Sequence, residues 1–333
     1  MAELPPAPDT PLDADGDPRF GSYRGQCRDT DLTDAARRVG TGAGGQFLRE
    51  KRWQWFGVAD AQIACGGTLL DAGYATTVFV WLFDRTTGRM IADETEILPP
   101  FAIEITDNPS AGGRAQLRGL SRRFSVERGE ETIALDASLG SVRLDLELDA
   151  THTEALTAIC PVNEGDKQGV NVTQKQTCLP VHGRIAADGR AFKLNDDALG
   201  MLDYTHGLLG RNTQWRWAIG GGFLEDGTPV GFNFAQGFNG ELENAIWMDG
   251  GLRSVEPIAI DYDERRPRDP WTMRSDNGAL DLSLYVEGLR NHETNFRIVQ
   301  SDYLQPLGRC HGRVVDREVH DLFGIAERHT AKW

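Results

Sequence analysis

No stretch of this chain comes near the ~20 consecutive apolar residues that a membrane-spanning helix needs; the longest apolar run lies around Val78 to Phe83. An integral membrane segment is therefore not expected. The amino terminus, M-A-E-L-P-P-A-P-D-T-P, lacks the basic start and apolar stretch of a secretory signal, which points to a soluble, cytoplasmic protein. Cysteine is scarce. The five (Cys27, Cys65, Cys160, Cys178, Cys310) are odd in number, scattered, and form no C-x-x-C pair. That excludes a disulfide framework and a cysteine zinc or redox site, and leaves reduced thiols. Positive charge is short as well, with 35 Lys and Arg against 50 Asp and Glu and a net charge of −15. Such a protein repels nucleic acid and anionic membrane surfaces, so neither is an expected partner; a solvated acidic surface accounts for the charge. No H-x-H or H-E-x-x-H spacing suggests a metal. No G-x-G-x-x-G follows a strand and precedes a helix, and no G-x-S-x-G occurs, so neither a nicotinamide cofactor nor serine hydrolysis is supported. The expectation is no metal and no cofactor.

What the chain has in abundance is glycine, 38 in 333 residues, beside 40% hydrophobic residues. This suits many short strands joined by tight turns around real cores, an all-β fold. The length favours two domains over one. Residues 1–40 read as an N-terminal arm, rich in proline, glycine and aspartate, with one short helix from Thr33 to Val39 capped by Thr33. Residues 41–190 read as a first β-domain and residues 191–333 as a second, divided in the polar stretch near Ala187 to Asp197. Trp53-Gln54-Trp55 opens one β-region and Trp215-Arg216-Trp217 the other. Residues two apart share a strand face, so each motif places two indoles on one side.

The densest chemistry lies between Gly200 and Gly250. Asp203, Tyr204 and His206 fall within four residues of one another, followed by Arg211, Trp215 and Trp217, then by Glu243-Asn244 and Trp247. Acid-catalysed hydration or isomerisation of an alkene needs a carboxylic acid kept protonated by a dry site, and a surface that tolerates a cation. Asp203 as acid, His206 and Tyr204 beside it, and Trp215 and Trp217 as an aromatic wall meet that list. Arg211, Lys175 in T-Q-K-Q-T, Glu243, Asn244 and Trp247 complete the candidate substrate-binding set. A structural role competes at each position. Asp203 can cap a turn, His206 can be a satisfied core histidine, Lys175 can be solvated, and Glu243-Asn244 can serve a turn.

The order of motifs resembles a bacterial family, the domain of unknown function 2804. The matching pieces are K-R-W-Q-W-F near Lys51, V-T-Q-K-Q-T-C-L-P-V-H-G near Val172, L-D-Y-T-H-G near Leu202, W-R-W-A near Trp215, E-N-A-I-W-M-D-G, D-P-W-T-M, and the closing Gly324 to Glu327. That family is in turn similar, at the level of fold, to the carotenoid hydratase and AttH group. The resemblance implies two lipocalin-like (calycin) β-barrel domains packed together and an apolar small-molecule ligand. It implies a cofactor-independent hydratase, isomerase or cyclase acting on an isoprenoid, lipid-like or polyketide molecule. The alternative is a non-catalytic carrier of a similar hydrophobic ligand.

Overall fold

The computed structural model describes residues 2–38, 43–117, 119, 122–164, 167–295 and 299–333. Among the described residues strand predominates and helix is confined to two short segments, so the expected all-β class with two β-units holds. The chain divides into two units, Pro6–Leu209 and Met1–Pro5 with Gly210–Trp333, called here the N-terminal and C-terminal units. Each carries one curled half-barrel sheet.

In chain order, β1 (Ala2–Glu3) belongs to the C-terminal unit. The N-terminal unit follows with β2 (Gly21–Arg24), β3 (Glu50–Ala59), β4 (Ile63–Asp71), β5 (Thr76–Asp84), β6 (Arg89–Leu98), β7 (Ile103–Ile105) and β8 (Arg114–Leu117). It continues with β9 (Arg123–Arg128), β10 (Thr132–Leu139), β11 (Val142–Asp149), β12 (Leu156–Glu164), β13 (Lys167–Ala187), β14 (Arg190–Lys193) and β15 (Leu199–Leu208). The main strand order is β6-β5-β4-β3-β15-β13-β11-β10-β9-β8-β7. In β9 to β11 every second residue is buried, the period-two pattern of a strand with one wet face. Phe124, Val126, Leu135, Leu144 and Leu146 from these strands meet Phe56, Val80 and Leu202 in one apolar cluster that fills the concave side.

The C-terminal unit adds β16 (Asn212–Phe223), β17 (Pro229–Gly237), β18 (Ala245–Met248), β19 (Gly251–Ser254) and β20 (Ile258–Asp261). It ends with β21 (Trp271–Ser275), β22 (Leu280–Asn295), β23 (Gln300–Val314) and β24 (Arg317–Lys332). Their order is β1-β19-β18-β17-β16-β24-β23-β22-β21-β20. The core of this sheet gathers Phe232, Phe234, Trp271, Leu282, Leu284 and Ala326.

Two expectations are corrected. The boundary expected at 190/191 falls at Leu209/Gly210, because β15 is hydrogen-bonded between β3 and β13 and so belongs to the N-terminal unit. Residues 6–38 are no free arm. Cys27, Leu32, Ala35 and Ala36 pack with Ile159, Val170, Val172 and Leu208, and β2 pairs with β12. The helix α1 (Thr33–Arg38) is present, its end beyond Arg38 lying outside the described residues. Its first turn is held by Asp31, whose carboxylate accepts from the Thr33 N–H and hydroxyl, so the capping side chain is Asp31 and not Thr33. A second helix, α2 (Ala43–Arg49), has no strong sequence signal and precedes β3 directly.

Candidate functional site

All ten residues of β15 are buried, although half of its central residues are polar. A strand flanked by partners on both sides and covered on both faces loses its apolar alternation, and each polar side chain must find its partners on its own face. Alternation then separates the sequence-predicted pair. Leu202 and Tyr204 join the apolar cluster on the concave side and His206 follows them, whereas Asp203 and Thr205 point to the opposite face. Residues three apart on a strand diverge, so Asp203 and His206 form no acid–partner pair.

Asp203 is the centre of one polar group. Register sets it opposite Lys175 on β13 and Trp55 on β3. Its Oδ1 lies 2.7 Å from Lys175 Nζ, with side chains only 8% and 4% exposed. Thr205 donates to the same oxygen at 3.0 Å and Thr173 at 3.3 Å, while Trp53 Nε1–H donates to Oδ2 at 3.0 Å. Three donors and the ion pair all point at the carboxylate oxygens, so Asp203 is placed as an acceptor. Trp53 and Trp55 share this face, as their spacing predicts. The indole of Trp55 packs over Gly57, where a β-carbon would come within 2.6 Å of the ring. Lys175 is therefore no solvated strand lysine. It is buried and paired.

The concave face carries a second group. His206 Nε2 lies 2.9 Å from Glu50 Oε1, and its Nδ1 lies 3.3 Å from Thr30 Oγ1 and 3.4 Å from Asp107 Oδ1. Arg52 bridges Glu50 and Asp107. The Tyr204 hydroxyl sits between Thr30 Oγ1 at 2.7 Å and the Thr106 carbonyl at 3.1 Å. Deeper, Arg128 donates to Gln54 at 3.0 Å and to Gln176 at 3.4 Å. Burial raises the Glu50 carboxyl, but the His206 hydrogen bond and the Arg52 charge outweigh it and bring it down to about 2. Burial lowers His206, with the Glu50 hydrogen bond opposing, and burial pushes the Tyr204 hydroxyl up. These contacts tie Thr30 and the loop at Asp107 onto β3 and β15, and Tyr204 joins them to the apolar cluster. Tyr204 and His206 both take part in these contacts.

The remaining sequence-predicted residues lie in the C-terminal unit. Arg211 is exposed and donates to the Trp333 carbonyl at 2.8 Å. Trp215 and Trp217 share a face, as expected, but it is the face opposite the apolar cluster, which receives Ala218 and Ala326 instead. The indole N–H groups explain this placement, since each needs an acceptor. Trp215 Nε1 donates to Glu327 at 2.7 Å and Trp217 Nε1 to Asn233 at 2.8 Å. Asn233 in turn donates to the Glu243 carbonyl at 2.7 Å, the Glu243 carboxylate accepts from Asn239 at 2.7 Å, and Asn244 Oδ1 accepts the Ala235 N–H at 2.7 Å. Register with Gly231 puts Trp247 on the same face as Asn233. Sequence reasoning missed Arg290, Tyr303, Gln305, Glu327 and His329, which converge on this face from β22, β23 and β24. It also missed the partners of Asp203, namely Trp53, Thr173 and Thr205. Among the described residues, no group of three or more His, Cys, Asp or Glu side chains is placed to hold a metal ion.

The fold of two curled antiparallel sheets has a solved counterpart. CghA matches with a TM-score of 0.57 at 10% identity, covering 95% of this chain and 98% of CghA, and its structure with Sch210972 matches at 0.57 and 10%, covering 95% and 99%. Kievitone hydratase from Nectria haematococca matches at 0.47 and 12%, covering 94% and 98%. A putative AttH from Nitrosomonas europaea matches at 0.41 and 12%, covering 84% and 92%. Among curated protein sequences none matches this chain. The chain belongs to the family described as a domain of unknown function (DUF2804), whose sequence profile matches residues 6–333.

Proposed function

We propose that this protein is an enzyme of the hydratase, isomerase or cyclase kind that acts on an apolar small molecule, with Lys175 and Asp203 as its polar centre. The observation that carries this reading is the ion pair itself, buried to within 4% and 8% side-chain exposure beside Trp53 and Trp55. Withdrawing two charges from water costs several kcal/mol per ion, and well-packed apolar residues would serve stability at least as well. A charge pair kept in such a setting is therefore a candidate for chemistry. That CghA, a chain of similar fold, has been solved with Sch210972 supports a small-molecule reading.

The proton-donating role expected of Asp203 passes to Lys175, because every donor around Asp203 points at its oxygens. Asp203 orients the ammonium in advance. Lys175 donates to a substrate oxygen, such as a conjugated carbonyl, on which negative charge grows as water adds or a ring closes. A donor fixed beforehand stabilises that charge with little reorganisation. The indoles supply an apolar wall that also tolerates positive charge within ~6 Å of a ring centroid.

The test begins with the organic compound extracted from the purified protein and identified by mass spectrometry. Returned to wild type it is converted, and Lys175→Met slows conversion by about 10²- to 10³-fold, the range for one oxyanion-stabilising donor. A compound that binds but is never converted by wild type would make this protein a carrier and defeat the enzyme reading.

A further inference from the structure

The face of the C-terminal unit that carries Trp215 holds a polar group with one requirement unmet. Gln305 is fully buried, and its Nε2 donates to the Tyr303 hydroxyl. The Tyr303 hydroxyl shares a hydrogen bond with the Glu327 carboxylate, which also accepts from Trp215 Nε1 at 2.7 Å. A tyrosine proton directed to a carboxylate leaves the phenol oxygen as an acceptor, and this fixes the amide nitrogen of Gln305 towards Tyr303. Gln305 Oε1 is then turned elsewhere, and it has no hydrogen-bond partner among the described residues. Buried carbonyl oxygens of this kind are rarely left unpaired.

The surroundings specify what the oxygen would accept from. Arg290 and Glu327, both buried, act with opposite sign on Tyr303, so their charges offset each other. The guanidinium of Arg290 stands 5.7 Å from the Tyr303 ring centroid. His329 is held neutral by burial and by Arg328, its pKa lowered to about 3, and packs edge-on against Trp215 at 4.4 Å. The group therefore offers aromatic surface, no net charge, and one unfilled acceptor. A charged ligand gains nothing here, whereas a neutral hydroxyl gains a hydrogen bond.

We propose that this face of the C-terminal unit is a binding site for a neutral, hydroxyl-bearing aromatic or alicyclic small molecule, whose O–H donates to Gln305 Oε1. The site stands whether or not Lys175 and Asp203 are catalytic, since it shares no residue with them.

The probes are 2-naphthol and 2-methoxynaphthalene, which differ in the hydroxyl proton, titrated calorimetrically into the full chain. Wild type is expected to prefer naphthol by about tenfold, or about 1.4 kcal/mol. Gln305→Leu should abolish the preference while leaving methoxynaphthalene affinity within about twofold. Gln305→Asn, which keeps the amide but withdraws it by one methylene, should do the same and guards against a leucine variant that folds poorly. Binding of neither probe by wild type, equal affinities in wild type, or a preference that survives in both variants overturns the proposal.

Discussion

Breaking the Lys175–Asp203 pair from either side should destabilise the protein more than breaking it from both sides at once. The contact is 2.7 Å, and both side chains are more than nine-tenths buried. Removing one partner of such a pair leaves an uncompensated buried charge and costs about 3–5 kcal/mol. Lys175→Met leaves the carboxylate with Trp53, Thr173 and Thr205, three neutral donors that soften the loss, so about 3 kcal/mol is expected at that end of the range. Asp203→Asn leaves the ammonium facing an amide and should cost a similar amount. The double variant carries no charge there, and the amide oxygen introduced by Asp203→Asn can still accept from Trp53. Its loss should be no greater than that of either single variant, a coupling of about 3 kcal/mol. Urea denaturation followed by circular dichroism measures all four corners of the cycle, with unchanged slope as the check that the unfolded reference is the same. Strictly additive losses would refute the reasoning, for the pair would then be two independent solvated groups.

Three further outcomes follow from the structure. His329 is lowered to about 3 by burial first, so its folded value lies below its unfolded one, the unfolded chain takes the proton more readily, and stability is complete above about pH 6.5 and falls towards pH 3. The decline, up to about 1.4 kcal/mol per pH unit, should flatten in His329→Gln when urea midpoints are compared across that range. Glu50, lowered to about 2, adds a separate loss as pH falls from about 4.5 towards 2, which Glu50→Gln should remove. Gly57→Ala should cost about 1–3 kcal/mol and alter the near-ultraviolet tryptophan signal, because the added carbon meets the Trp55 ring at 2.6 Å; an unchanged melting curve would show that the indole is free to move.

The all-β class was legible because β9 to β11 write their faces in alternating residues, and the shared sides of both W-x-W motifs follow from the same period. The crowding of Asp203, Tyr204 and His206 marked the right strand but suggested the wrong convergence. Three-residue spacing separates side chains once the strand is extended, and β15 hid its extension because burial on both faces removed the alternation. Its ownership by the N-terminal unit depends on pairing with β3, some 150 residues earlier, which no local signal carries. Lys175 was singled out, yet its partner is set by the register of β13 on β15. Gln305 and Glu327 are similarly brought together only by the register of β23 and β24 with their neighbours. Cys27 and Leu32 show how a segment rich in proline and glycine reaches a core from outside helix and strand.

The most direct test of the reaction centre is chemical rescue of Lys175→Ala. With the compound that co-purifies with wild type as substrate, the variant should be slowed by about 10²- to 10³-fold. Added ethylammonium should restore part of the rate saturably in Lys175→Ala and none in Lys175→Ala/Asp203→Asn, where nothing anchors the cation. Full activity in Lys175→Ala, or rescue that ignores Asp203, would contradict the assignment of this pair as the centre of the chemistry.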